Sequence, residues 1–191
     1  MFAIREQRTH TNKQLYSNMM KQQDILILLK KMTSDGSTMS IRGLANSIGM
    51  SVSSISASLE RCKKAHLIDQ NKKRVNVMAL KDFLTYGVQY VFPAEIGNIV
   101  RGVPTYISAS PIKEQLAESR DYYVWRSAKG TARGQQITPL YLSVPNAVLK
   151  DDELYQLLVI VDTLRVGSAR ERAIALQELT KRIDRYANNQ Q

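Results

Sequence analysis

The sequence predicts an α+β fold, mainly helical with small β elements. Three observations point there. Apolar residues recur at helical spacing in the two end regions. All five prolines, and four of the nine glycines, fall between Pro93 and Pro145. Proline removes a backbone donor and fixes φ, so that stretch is expected to hold turns and short strands. The 191 residues suit one large domain or two small ones, at roughly 150 residues per domain. The expected division is a polar, mobile N-terminus at 1–16, a domain over 17–87 and a region over 88–191 that ends in a helix pair.

The first helix is expected over Ser17–Met32, because Ile25, Leu28, Leu29 and Met32 follow the i, i+3, i+4, i+7 spacing of one buried face. Ser34-Asp35-Gly36-Ser37 reads as the turn that ends it. A second helix, Ile41–Ile48, has Ser40 as N-cap candidate, and Gly49 can take the positive φ of a tight turn. A third follows Ser51, another N-cap candidate, and runs to about Ala65 with Ile55, Leu59 and Cys62 inward. Leu67–Asp69 and Arg74–Val77 read as short strands around the polar turn Gln70-Asn71-Lys72-Lys73, since Val75 and Val77 alternate with polar neighbours. Leu80, Phe83 and Leu84 suggest a short helix closing near Gly87, and Val88–Phe92 reads as a further strand.

Asp151, Asp152 and Glu153 mark a later helix start, where negative charge suits the macrodipole. Leu154, Leu157, Leu158, Val161 and Leu164 form its apolar stripe, and Gly167 fits the position after its end. Ser168-Ala169-Arg170-Glu171 reads as a capping box. It opens a last helix that buries Leu176, Leu179, Ile183 and Tyr186.

Composition excludes several classes. One cysteine cannot form an intramolecular disulfide, and two histidines with one cysteine cannot build a structural zinc site of the Cys/His kind. No wholly apolar run exceeds the five residues of Ile25–Leu29, too short for a membrane span. The opening MFAIREQRTH lacks the apolar core of a signal peptide, so a cytoplasmic location is expected. The chain has no glycine-rich phosphate loop, histidine-rich ligand set or nucleophile elbow. The expectation is therefore a non-enzyme without cofactor or metal.

Charge points to a polyanionic partner. The net charge is +10, and residues 1–78 hold 13 basic against 5 acidic residues, whereas residues 79–191 hold 14 against 12. Within the basic part, Ser40–Ile68 reads as a helix-turn-helix. Leu44, Ile48, Met50, Ile55 and Leu59 form its core, Ala45 allows a close helix crossing and Gly49 makes the turn. The hairpin that follows completes the order of a winged helix.

The stretch Ile41–Ile68 resembles the winged helix of MarR-type bacterial transcriptional regulators. The residues that carry the resemblance are Ala45, Gly49, the serines Ser51, Ser53, Ser54 and Ser56, and the pair Leu67-Ile68; it extends from Ser17 to about Asp82. It implies a DNA-binding regulator, a homodimer with double-stranded DNA as partner, whose third helix enters the major groove and whose hairpin reaches the backbone or minor groove. Val52 and Ala57 stand where the family often has basic residues, and they suit contact with thymine methyl groups. The expected DNA-binding residues are thus Ser51, Val52, Ser53, Ser54, Ser56 and Ala57 on the recognition helix. Arg42, Arg61, Lys63, Lys64, Lys72, Lys73 and Arg74 are the expected phosphate anchors. The first helix and the C-terminal pair are the candidate dimer interface.

Residues 88–191 depart from the MarR continuation. They are similar to bacterial regulators with a winged-helix head that are sometimes paired with nucleotidyltransferase-like proteins. That likeness implies an antitoxin-like role, with a protein partner bound by this region. Arg101, Arg126, Lys129 and Arg133 lie there beside Tyr122, Tyr123 and Trp125. The simpler reading of this group is a small core on Trp125 with exposed loop cations.

Overall fold

The computed structural model describes residues 19–116 and 121–188. Ser17, Asn18, the N-terminus and the last three residues lie outside them. The first three helices are α1 (Gln22–Met32), α2 (Ile41–Ile48) and α3 (Val52–Lys64). α1 starts later than its apolar spacing suggests. Asp24 sets the start by accepting the Lys21 N–H at 2.8 Å, and Met19–Lys21 are not helical. Every residue from Asp24 to Met32 is buried, so α1 has no solvent face. α3 packs against it on one side and a C-terminal helix, Asp152–Val166, on another.

Ser40 and Ser51 cap α2 and α3 as expected, their side-chain oxygens accepting from Gly43 and Ser54 N–H groups at 3.1 Å. Gly49 ends α2 at φ 66°. The two expected strands after α3 shrink to a single bridge between Ile68 and Val75. Backbone bonds from Asp69 N–H to the Arg74 carbonyl and from Asn76 N–H to the Leu67 carbonyl flank it. Val77 is not part of a strand, because Asn76 caps a new helix there.

That helix corrects a second expectation. α4 (Val77–Asp82) runs through a π turn at Phe83–Gly87 into α5 (Val88–Val91). Val88–Phe92 is therefore helical, not a strand, and the Phe92 N–H bonds the Val88 carbonyl at 2.9 Å. Tertiary burial outweighs the β-propensity of Val, Tyr and Phe: Leu80, Leu84, Val88 and Phe92 are 0, 0, 1 and 7% exposed. Pro93 then ends the helix.

The central segment holds strands β1 (Ile96–Pro104), β2 (Tyr123–Arg126) and β3 (Ala132–Ile137). β1 is antiparallel to both others, and β2 and β3 are parallel, so the three close into a small barrel. Closure needs backbone on backbone: a Cβ on Gly130 would lie 2.0 Å from the carbonyl carbon of Gly102.

After the short helix α6 (Val144–Ala147) come α7 (Asp152–Val166) and α8 (Ala169–Asn188), an antiparallel pair. Asp151 caps α7 by accepting the Leu154 N–H at 2.9 Å. The capping box of α8 is present, with Ser168 N–H donating to Glu171 Oε2 at 2.6 Å and Glu171 N–H to Ser168 Oγ at 3.4 Å. Ala175 takes the buried place expected for Leu176, which is half-buried. α7 is buried from Leu157 to Arg165.

A polar knot ties α7 to the barrel. Asp162 accepts from Trp125 Nε1 at 2.6 Å, Thr105 Oγ1 at 3.0 Å and Arg165 Nη1 at 2.8 Å. Arg165 also donates to the carbonyls of Phe92, Thr138 and Pro93. Trp125 is the centre of a local core, as the simpler sequence reading expected. One hydrophobic cluster runs from Ile25 to Tyr186, so residues 17–87 and 88–191 share it. Among the described residues, no helix is long and apolar enough to cross a membrane.

Candidate nucleic-acid interface

α3 turns one face inward and one outward. Ile55, Ser58, Leu59, Arg61 and Cys62 are buried. Ser51, Val52, Ser53, Ala57, Glu60 and Lys64 are exposed, with Ser54, Ser56 and Lys63 half-buried between the two faces. The outward face of the first two turns thus carries only small side chains. Ser51 is occupied as a cap, and its hydroxyl also donates to Ser54 Oγ at 2.8 Å.

Arg61 is a correction. The sequence reading makes it a phosphate anchor, but the side chain is 6% exposed and faces inward. Its Nε and Nη2 donate to Asp24 Oδ2 and Oδ1 at 2.8 and 2.5 Å, and Nη2 also donates to Ser58 Oγ at 2.8 Å. The bidentate pair locks α3 onto α1 and holds the guanidinium above its ordinary pKa. A guanidinium cannot be buried without such a partner, and Asp24, 37 positions earlier in sequence, gave no local signal of being it.

Lys72 is also engaged. It stands at φ 57° in the hairpin turn and forms an ion pair with Glu60 of α3. This hydrogen bond holds the Glu60 carboxyl below the usual range, and it removes the one acidic charge on the outer face of α3. Asp69 shapes the turn by accepting the N–H groups of Lys73 and Arg74 at 2.6 and 3.1 Å, and both of those residues are exposed. Arg42 is exposed at the start of α2.

α3 ends with His66 at φ 58°. The His66 N–H reaches the Lys63 carbonyl and the Leu67 N–H the Cys62 carbonyl, the Schellman pattern that steers the chain into the hairpin. Cys62 is fully buried, and burial pushes its thiol up, so it is no thiolate nucleophile.

No protein-family model, curated protein or solved structure matches the chain. The reading of this surface therefore rests on its own geometry. Arg42, the small-residue face of α3, Lys64, Lys73 and Arg74 are all exposed. A pair of helices joined by a tight turn can present exposed small and basic side chains to a groove and its phosphates.

Proposed function

We propose that the protein is a DNA-binding transcriptional regulator of winged-helix type, MarR-like over 17–87, with α3 in the major groove and the hairpin at 70–74 on the phosphate backbone. The observation that carries this reading is the outer face of α3. It is exposed and built of Ser51, Val52, Ser53 and Ala57 in its first turns, small enough for close approach to base edges. Its single carboxylate, Glu60, is paired with Lys72, so no unpaired acid repels a phosphate there. Arg42, Lys73 and Arg74 are exposed and serve as the anchors; Lys64 is exposed as well, and Lys63 is half-buried.

Two measurements test it. Selection from random duplex DNA should enrich a palindrome whose half-sites lie about 34 Å apart if two copies bind together. Lys73→Ala and Arg74→Ala should each weaken all sequences alike and flatten the slope of log K against log salt by up to about 0.9. Lys72→Ala should change the slope less, because Glu60 already neutralises it. An unchanged slope in all three would remove the hairpin from the interface.

Asp24–Met32 of α1 are buried, which leaves that helix little surface for a homodimer contact, whereas the outer face of α8 is exposed. A separate observation favours the antitoxin-like reading as well. Ile96, Ile99 and Leu142, all in the C-terminal region, are 49, 64 and 90% exposed. If this region captures a partner protein, Ile99→Asp with Leu142→Asp should abolish capture and leave DNA affinity intact.

A further inference from the structure

We infer that the cavity between the end of α1, the first turns of α7 and the last turns of α8 binds a small organic anion with an apolar body. The cavity measures about 240 Å³. Met32, Leu157 and Tyr186 give it apolar and aromatic lining, which suits the body of a small ligand.

Its polar groups differ in what they still offer. Glu153 accepts the Ser34 N–H and hydroxyl at 2.5 and 2.6 Å, one on each oxygen, and keeps its negative charge. Arg182 is shared between Glu178 and Gln156, at 2.7 and 2.5 Å. Arg185 is different: it lines the cavity, is exposed, and has no hydrogen bond or ion pair with a described residue. Tyr186 is 6% exposed, and its hydroxyl gives its own proton to no described acceptor. Arg182, Arg185 and the neighbouring Lys181 stand against Glu153 and Glu178, which leaves the site one net positive charge, with the Tyr186 hydroxyl as a neutral donor, and a carboxylate or phosphate matches both.

One lining residue also touches the hairpin. The Tyr186 hydroxyl accepts the N–H of Val75 at 3.3 Å, and Val75 is the residue bridged to Ile68. An anion bonded to Tyr186 therefore acts on the backbone that carries Lys73 and Arg74. The ligand site stands on the cavity alone; its consequence for DNA rests on the reading proposed above.

The test uses the full ¹⁵N-labelled chain titrated with phenylacetate and with its neutral amide, phenylacetamide. A probe of this size should bind at about millimolar strength. Phenylacetate should shift the Ser34 and Val75 amide resonances saturably, phenylacetamide should not, and Arg185→Gln should weaken phenylacetate at least tenfold while leaving the remaining spectrum unchanged. No saturable shift up to about 10 mM, or equal responses to acid and amide, would overturn the site. A saturable shift at Ser34 with Val75 unmoved would overturn the coupling. DNA affinity is measured in parallel, and its absence would sink the regulator reading while the resonances still decide the cavity.

Discussion

Lys30 and Lys31 are adjacent, both buried, and electrostatically opposite. Lys30 donates to Asp151 at 2.5 Å and Asp35 at 2.8 Å. Burial lowers its pKa, and the two carboxylates more than restore it. Lys31 has Asp69 only as a distant charge, so burial prevails and its pKa falls. Lys30→Met should cost about 3 kcal/mol, since it strands Asp151 at the cap of α7. Lys31→Met keeps the stem packing and removes a poorly solvated charge, and should raise stability by about 1 kcal/mol. Denaturant unfolding of both variants checks the contrast; equal losses would show that the stems, not the charges, set the cost. These two lysines and Arg61 also explain what charge counting hides. Among the described residues of that basic part, Lys30, Lys31 and Arg61 are interior, and Lys72 is paired. Charge is visible in a sequence, whereas the partner that allows its burial lies far along the chain.

At the scale of elements, α2, α3, the turn at Gly49 and the capping box at Ser168 were legible because each has a local cause. Gly49→Ala should cost about 1 kcal/mol through its left-handed φ. Steric clash is not the reason, because the nearest atom to an added Cβ is Ser143 Cβ at 3.6 Å. Gly49→Asn should cost less, and thermal unfolding of the two variants checks the order. The α4–α5 helix was misread at Val88–Phe92 because its signal is unusual. Leu80, Leu84, Val88 and Phe92 recur every four residues, a spacing that drifts off one face of a helix with 3.6 residues per turn. The wider π turn at Phe83–Gly87 takes up that drift and keeps the four on one side. A period-four stripe ending at a proline was the available clue. The cavity beside Arg185 had none, since it joins residues 32–37, 153–157 and 182–186 through tertiary packing alone.

For the whole molecule, acid should be the weak side. Burial raises the carboxyls of Asp35, Glu171 and Glu178, yet hydrogen bonds overcome it: Lys30 and Thr33 act on Asp35, Tyr106 and Ser168 on Glu171, and Lys181 and Arg182 on Glu178. With Glu60, four carboxyls lie below the usual range when folded. As pH falls the unfolded chain takes up those protons first, so their contribution is full above about pH 4.3 and is lost below it. Asp162 opposes them, because burial pushes it up. Denaturant midpoints should stay level from about pH 8 to 5.5 and drop below about pH 4.5; a midpoint that rises in acid would contradict this balance. The burial of α1 on all sides has a consequence for synthesis. α3 follows soon and covers one side, but its other partner α7 begins at Asp152, so the side of Ile25–Leu29 that faces α7 leaves the ribosome long before α7 exists to cover it. At about 5–20 residues per second that side waits on the order of ten seconds. A nascent chain stalled before α7 should therefore be protease-sensitive at α1 and bind chaperones that hold exposed apolar segments, and release of the complete chain should end both.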